Sequence, residues 1–382
     1  MRVAINLLTD DPRTPSGAHW FWKQVISEMV PMLADDEELH LVVSPKIRAE
    51  HSGYGPKVRY ITFPWSNERR VLRTLSEHAY TPLRLPRAGI DVFNTLIAPV
   101  VRPAPGVVAH FKTLHAFTSP GAVNPLVRLY RRSGYPHTAK VADIVIINSE
   151  SLRSEVETYL EVDPAKLRLI PEAVDHQVFR PGDREEAAAT LRRERGIGGP
   201  FVLFVSSLWA YKNCDGLLRA FAVARESLPD HRLVIVGSGA DSEYTEQLRR
   251  LAVELGIADR VVWVGGVPHH DTLPFYRAAD AFVYPSHNET FGLPILEAMA
   301  CACPVVTSDR SAMPETAGGA ALLADPEDPA SIADAVVRAC GDEGTRLRGL
   351  GPPRAAQFTW AATAKATLEV YREVHAARGG AR

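Results

Sequence analysis

Along the chain, short runs of β-branched and aliphatic residues alternate with longer stretches whose apolar side chains recur at helical spacing. "RVAINLL" opens as a strand, "GAHWFWKQVISEMVPML" takes up helical spacing after a Pro-Ser-Gly turn, and "ELHLVVS" and "KVRYITF" return to strands. "IDVFNTL", "GVVAHFKTLH" and "ADIVIINSE" extend the series, the last running into the helical "SLRSEVETYL". A second series starts at "PFVLFVSSL". It continues with a helix from Asp215, the strand "HRLVIVGSG", a helix through "EYTEQLRRLAVELG", the strand "RVVWVGGV", a short helix "DTLPFYRAA" and the strand "DAFVYPS". Short apolar runs alternating with amphipathic helices predict an α/β fold whose parallel sheets are covered on both faces. Two such series predict two doubly wound domains. The patterning gives way to Pro, Gly and charge at "IPEAVDHQVFRPGDREE", which sets a boundary near residue 178. The expected division is an N-terminal domain over 1–178, a C-terminal domain over 179–355 and a terminal helix over 356–382. That helix follows the Gly/Pro-rich "GLGPP" and packs back on the first domain.

Open α/β sheets bind ligands outside the carboxyl ends of their strands, and two such domains predict a ligand cleft between them. Chemistry concentrates in the loop after "DAFVYPS". "HNETFGLPILEAMA", residues 287–300, puts Glu289 in a polar turn and Glu297 inside the helix that follows. Pro294 suits the first helical turn, where a missing N–H leaves nothing unpaired. The amides of Phe291, Gly292 and Leu293 then form an anion cradle at the helix start, reinforced by the dipole, with Gly292 allowing close approach. Two carboxylates beside such a cradle would repel a bare phosphate. They fit a ligand that offers hydroxyls to the acids and phosphates to the amides, and a sugar nucleotide has that layout. The competing structural explanations are an acid that merely favours the dipole at Glu297 and a solvated loop charge at Glu289.

With 46% hydrophobic and 23% charged residues, the chain has ordinary globular composition. No apolar run is long enough to cross a membrane, and "MRVAINLLTDDPR" turns polar too soon for a secretory signal, so a cytoplasmic location is expected. Cys214, Cys301, Cys303 and Cys340 lack C-x-x-C spacing and read as buried, reduced thiols. The net charge of −2 hides an asymmetry: thirteen Lys or Arg from Lys57 to Lys140 face only Glu68, Glu77 and Asp91. That stretch suits an anionic acceptor or a peripheral contact with an acidic membrane at its inner face; arginines spread over unrelated solvated faces are the alternative. No nucleic-acid partner is expected.

"ETFGLPILE", followed by "EAMACACPVVTSD" and "PETAGGAALLADPEDP", resembles the donor-binding core of the family-4 retaining glycosyltransferases of the GT-B fold, the glycosyl transferases group 1. "ADIVIINSESLRSEVETYLEVDPAKLRLIPEAVDHQVFRP" is similar to the segment joining that family's two domains, and "LFVSSLWAYKNCDGLLRAF" to the lysine-bearing loop opening the second. The resemblance covers nearly the whole chain and implies two Rossmann-like domains facing a central cleft. By position it puts Glu289 near the transferred sugar, Glu297 on the ribose and Lys212 on the donor diphosphate. Gly17 falls in the glycine-rich loop whose amides face the phosphates, and His115, in "KTLHAF", falls close to the sugar. The implied catalytic set is His115, Lys212 and Glu289. The implied donor-binding set is Gly17, Ser207, Lys212, Val267, Glu289, Phe291, Gly292, Leu293 and Glu297. A surface lysine before a helix and a satisfied structural histidine are the plainer explanations of Lys212 and His115.

The chain departs from the family pattern in several places. Ser206-Ser207 stands where many members have Gly-Arg, removing the arginine that would share the diphosphate with Lys212. "TPSGAH" has the single Gly17 instead of two glycines, Ala116 replaces a frequent aspartate, and Ala173 a common glycine. The implied activity is retaining transfer of a hexosyl group from a nucleotide-diphosphate sugar, by front-face attack, to a hydroxyl of a glycan or lipid-linked acceptor in polysaccharide or cell-envelope assembly. A soluble small-molecule natural product is the alternative acceptor. No Asp-x-Asp motif lies in a plausible loop, so no metal is expected, and no cofactor beyond the nucleotide-sugar substrate. A non-catalytic nucleotide-sugar-binding protein, an epimerase or a phosphorylase could share the architecture. "VIVGSGADSEY" superficially suggests a dinucleotide fold, but Ser242 replaces the third glycine and no acid ends "RVVWVGG".

Overall fold

Most of the apolar runs become strands buried on both faces, as a parallel sheet under helices requires. The computed structural model describes residues 1–8, 17–63, 74, 76–99, 105–118, 124–239 and 242–379. One sheet contains β1 (Arg2–Asn6), β2 (Glu38–Val43), β3 (Val58–Thr62), β4 (Val92–Thr95), β5 (Gly106–His110), β6 (Ile144–Ile147) and β7 (Leu167–Leu169), in the order β3-β2-β1-β4-β5-β6-β7. The other contains β8 (Phe201–Val205), β9 (Arg232–Val236), β10 (Val261–Gly265), β11 (Ala281–Tyr284), β12 (Val305–Ser308) and β13 (Leu322–Ala324), in the order β10-β9-β8-β11-β12-β13. Both sheets are parallel, and in each the strand order reverses beside the first strand, at β1/β4 and β8/β11. These are doubly wound, Rossmann-like sheets, and the reversals are their switch points.

The chain divides by contact into Met1–Glu172 with Trp360–Arg382, and Ala173–Thr359. The patterning along the chain predicts boundaries at 178 and 355, a few residues away from these. The helix Trp360–Gly379 lies beside the helix Gly17–Met29 in the first unit. Ala364, Leu368, Tyr371 and Val374 share a core with Val3, Ile5, Phe21 and Val25 there. Asn94 Nδ2 donates to the Tyr371 hydroxyl at 2.8 Å, and Arg378 pairs with Asp143 at 2.9 Å. In the second unit, one face of the sheet packs Phe275, Tyr276, Ile295 and Met299, and the other Leu217, Phe221, Ile235 and Val336.

"GLGPP" is not the turn that its composition suggests. It lies inside the helix Gly344–Ala355, which holds both Pro352 and Pro353. Adjacent prolines normally end a helix. Here tertiary packing on the helix Leu293–Ala300 overrides local preference, and Gly351 makes the contact close: a Cβ there would stand 3.1 Å from the Met299 Cα and its carbonyl oxygen. Cys214, Cys301 and Cys303 are buried free thiols and Cys340 is a partly buried one. Among the described residues no helix is long and apolar enough to cross a membrane.

Candidate active site

In the second unit the two strands at the switch point deliver the site. After β8 the chain runs through Ser206 and Ser207 into a single turn, Ala210–Lys212. Asn213 ends the turn in the left-handed region, at φ 58°. Its side-chain oxygen accepts from the Gly216 amide and caps the helix Cys214–Ala224, while Nδ2 donates to the carbonyls of Pro285 at 3.0 Å and Pro326 at 2.6 Å. The loop bearing Lys212 is therefore tied to the end of β11 and to the loop after β13. On the other side, β11 ends at Tyr284 and leads to Glu289, whose carbonyl accepts from the Ala312 amide and whose own amide bonds the Ser311 hydroxyl.

These anchors bring three side chains into one buried cluster. The Lys212 ammonium donates to Glu289 Oε1 at 2.5 Å and to the Tyr284 hydroxyl at 2.7 Å, and Tyr284 donates to the same carboxylate oxygen at 2.9 Å. The Tyr211 ring centroid lies 5.0 Å from the ammonium. Burial alone would push the ammonium pKa down, but Glu289, with Tyr284 and Tyr211, overrides it and the net shift is upward. Burial and then Glu289 likewise raise the Tyr284 phenol. Lys212 is thus a permanent cation in a low-dielectric surrounding, the state that suits stabilising a phosphate charge.

Glu297 sits inside the helix Leu293–Ala300 and has both carboxylate oxygens occupied. Tyr276 donates to Oε2 at 2.9 Å, and His269 Nε2 stands 2.6 Å from Oε1. Burial pulls the His269 pKa down, but the bond to Glu297 outweighs it and raises the net value. Pro294 occupies the first helical turn as expected, and Gly292 caps the helix at φ +89°. An added Cβ there would be strained by the backbone and would meet Ile295 Cδ1 at 3.0 Å. No acceptor among the described residues takes the amides of Phe291, Gly292 or Leu293, which leaves the helix start with donors to offer an anion. The Phe291 side chain packs in the core, Val267 is half-buried against it and Ser207 is exposed. Gly237, the first glycine of "VIVGSG", lets Ser206 cross closely over β9, since a Cβ would stand 1.8 Å from the Ser206 carbonyl oxygen. That packing accounts for the glycine without a dinucleotide.

In the first unit the carboxyl ends of the strands also gather polar side chains. Gly17 begins the helix Gly17–Met29, but Thr14, Pro15 and Ser16 of the loop before it lie outside the described residues. His115 begins the short helix His115–Thr118, half-buried, with its amide donating to the Thr113 hydroxyl at 3.1 Å. Lys112 and Glu172, which sequence reasoning missed, pair at 2.8 Å, and Asn148 Nδ2 stands 3.4 Å from the same carboxylate oxygen. Tyr276, Tyr284 and His269 were missed as well. The two tyrosines were visible as polar-tipped aromatics within apolar runs, a weak signal that a phenol needs a buried partner. Among the described residues no cluster of three His, Cys, Asp or Glu side chains is placed to hold a metal.

Two family models match the chain: Glycosyltransferase Family 4 over residues 23–178, and Glycosyl transferases group 1 over residues 188–349. A D-inositol 3-phosphate glycosyltransferase of Acidothermus cellulolyticus is 37% identical over 261 residues, 64% of this chain and 56% of that protein. One from Corynebacterium jeikeium is 34% identical over 245 residues, 61% of this chain and 58% of its own length. The match thus spans little more than half the length of these curated relatives. In structure the chain is similar to sucrose-phosphate synthase from Thermosynechococcus elongatus, with a TM-score of 0.77, 22% identity and coverage of 99% and 100% of the two chains. It is also similar to Anabaena HepE in complex with UDP and glucose, with a TM-score of 0.73, 18% identity and coverage of 98% and 100%. With two Rossmann-like parallel sheets and one matched model on each side of their junction, the chain belongs to the family-4 glycosyltransferases, the glycosyl transferases group 1, of the GT-B fold.

Proposed function

We propose that this chain transfers a hexosyl group from a nucleotide-diphosphate sugar to an acceptor hydroxyl, with retention of anomeric configuration and without a metal. The observation that carries this reading is the Lys212–Tyr284–Glu289 cluster at the switch point, close in sequence to the unpaired amides of Phe291, Gly292 and Leu293. Breaking the bond from anomeric carbon to diphosphate develops negative charge on the leaving oxygen. Lys212 and the helix-start amides would stabilise it, and one well-placed donor of this kind is worth about 3 kcal/mol, or roughly a hundredfold in rate. Glu289 would accept from sugar hydroxyls and Glu297 from the ribose. His115 would stand by the sugar, Gly17 by the phosphates, and Ser207 and Val267 would line the nucleotide. In a front-face reaction the leaving phosphate takes the acceptor proton, so no further catalytic acid is needed.

The similarity to D-inositol 3-phosphate glycosyltransferases favours a small phosphorylated polyol as acceptor. The cationic stretch from Lys57 to Lys140 favours instead a glycan or lipid-linked acceptor in envelope polysaccharide assembly, at the inner face of an acidic membrane. Part of that stretch, 64–73, 75, 100–104 and 119–123, lies outside the described residues. A thermal-shift panel of UDP-, GDP-, ADP- and dTDP-sugars tests the donor, since a ligand at about a hundred times its dissociation constant adds roughly 2.7 kcal/mol. Stabilisation by none of them rejects the reading. Donor binding with no transfer to inositol phosphates, glycans or lipid-linked sugars would point to a non-catalytic binding protein.

A further inference from the structure

Three arginines of the cationic stretch, Arg59, Arg84 and Arg87, gather with Arg2 at the amino ends of strands in the first sheet. A cavity of about 570 Å³ is lined by Arg2, Glu38, His40, Arg59, Arg84 and Arg87, among others. Arg2 and Glu38 are the first residues of β1 and β2, Arg59 is near the start of β3, and Arg84 and Arg87 come from the helix Thr81–Arg87. The cavity therefore opens at the amino ends of the strands, whereas Asn6, Thr95, His110 and Lys112 stand at or beyond the carboxyl ends of the same sheet. It is no part of the candidate active site.

Four guanidiniums line this cavity against one carboxylate. Glu38 offsets only part of that charge. It stands 3.6 Å from Arg2 Nε, 3.6 Å from an Arg59 terminal nitrogen and 3.3 Å from His40 Nε2, all longer than the about 2.7–2.9 Å of a tight charge-assisted bond. Arg87 donates from one nitrogen to the Leu83 carbonyl at 2.7 Å, and the Arg84 guanidinium lies 5.2 Å from the Tyr80 ring centroid. These contacts orient the forks while leaving most of their N–H donors unspent. His40 is buried, which lowers its pKa, so it adds a polar group and little charge. The volume suits a small ligand, and planar guanidinium forks drawn from two strands and a helix suit phosphate oxygens.

We propose that this cavity is a binding site for a phosphate-bearing oligoanion, separate from the candidate active site. The chemistry is common to a free polyphosphorylated metabolite and to the headgroups of an acidic phospholipid surface. Calorimetric titration of the whole chain with inorganic pyrophosphate, together with flotation on phosphatidylglycerol and on phosphatidylcholine vesicles, distinguishes the two. The proposed donor site would also take pyrophosphate, so the reading is the component that substitutions in the first unit change. Arg59→Ala/Arg84→Ala should weaken that component at least about tenfold, the loss expected for charged hydrogen bonds. Glu38→Gln removes the built-in competitor and should tighten it about threefold. Tightening is a result that misfolding cannot imitate. Pyrophosphate binding with these responses and no vesicle retention assigns a soluble phosphate; retention by phosphatidylglycerol alone, lost in the arginine variant and competed by pyrophosphate, assigns the lipid headgroup. The proposal is overturned if the wild-type chain shows neither, or if Arg59→Ala/Arg84→Ala and Glu38→Gln leave both unchanged.

Discussion

Lys112 and Lys212 follow the carboxyl ends of β5 and β8, one in each unit; Lys212 is buried, Lys112 is partly buried, and each is paired with a glutamate. Burial nevertheless moves them in opposite directions. Lys112, held by Glu172 and standing 3.0 Å from the Phe21 ring centroid, has its pKa lowered to about 8, because burial outweighs the one carboxylate. Lys212 keeps its pKa above the ordinary value because Glu289 is joined by the Tyr284 and Tyr211 phenols. The comparison teaches that pairing with a carboxylate does not by itself fix the direction in which a desolvated ammonium shifts; the surroundings of the pair decide the sign.

The largest expected effect tests the better-supplied pair. Lys212→Met leaves Glu289 buried without its cation and should cost about 3–5 kcal/mol in urea unfolding. Transfer should fall at least about a hundredfold in the same variant. Lys212→Met/Glu289→Leu should recover most of the stability and none of the transfer. Recovery of both would mean that the pair is structural. Lys112→Met should cost less, about 2 kcal/mol, because the charge it removes is already disfavoured by burial. Equal losses for the two methionine variants would break the comparison.

A pH series sharpens it further. The folded pKa of Lys112, about 8, lies below its ordinary value of 10.5, so between those values the unfolded chain binds more protons and stability rises with pH. Urea unfolding across that window should show the rise in the wild-type chain, and Lys112→Met should lose it. The smallest effect belongs to His269. Its folded pKa is raised above 6.5, so the stability from its contact with Glu297 is fully present below that value and fades as pH climbs through the raised one. His269→Gln should flatten that slope, and an unchanged slope would assign it to another group.

Much of the fold was legible because strand and helix periods are local. Glu289, Glu297, Pro294 and Gly292 were legible because they fall together in one short stretch. What surrounds them was not. Tyr284, Tyr276 and His269 meet the two glutamates through folding of β10, β11 and intervening helices, and no period along the chain encodes that meeting. β7 and β13 are too short for alternation to show, and "GLGPP" hid a helix because its local chemistry argues for a turn while its packing on Met299 argues the other way. Lys112 and Glu172 are far apart in sequence, and neither carries a local mark of its pairing.

The return of the helix Trp360–Gly379 to the first unit bears on how the chain comes together during synthesis. Ala364, Leu368 and Tyr371 share a core with residues made well before them, so of the two lobes the one begun first at the ribosome is completed second. The second lobe, continuous from Ala173 to Thr359, is able to close while the first still waits for its final helix. Cutting the chain once at Glu172 would give a fragment with an open apolar face, and the missing helix supplied in trans should restore its fold.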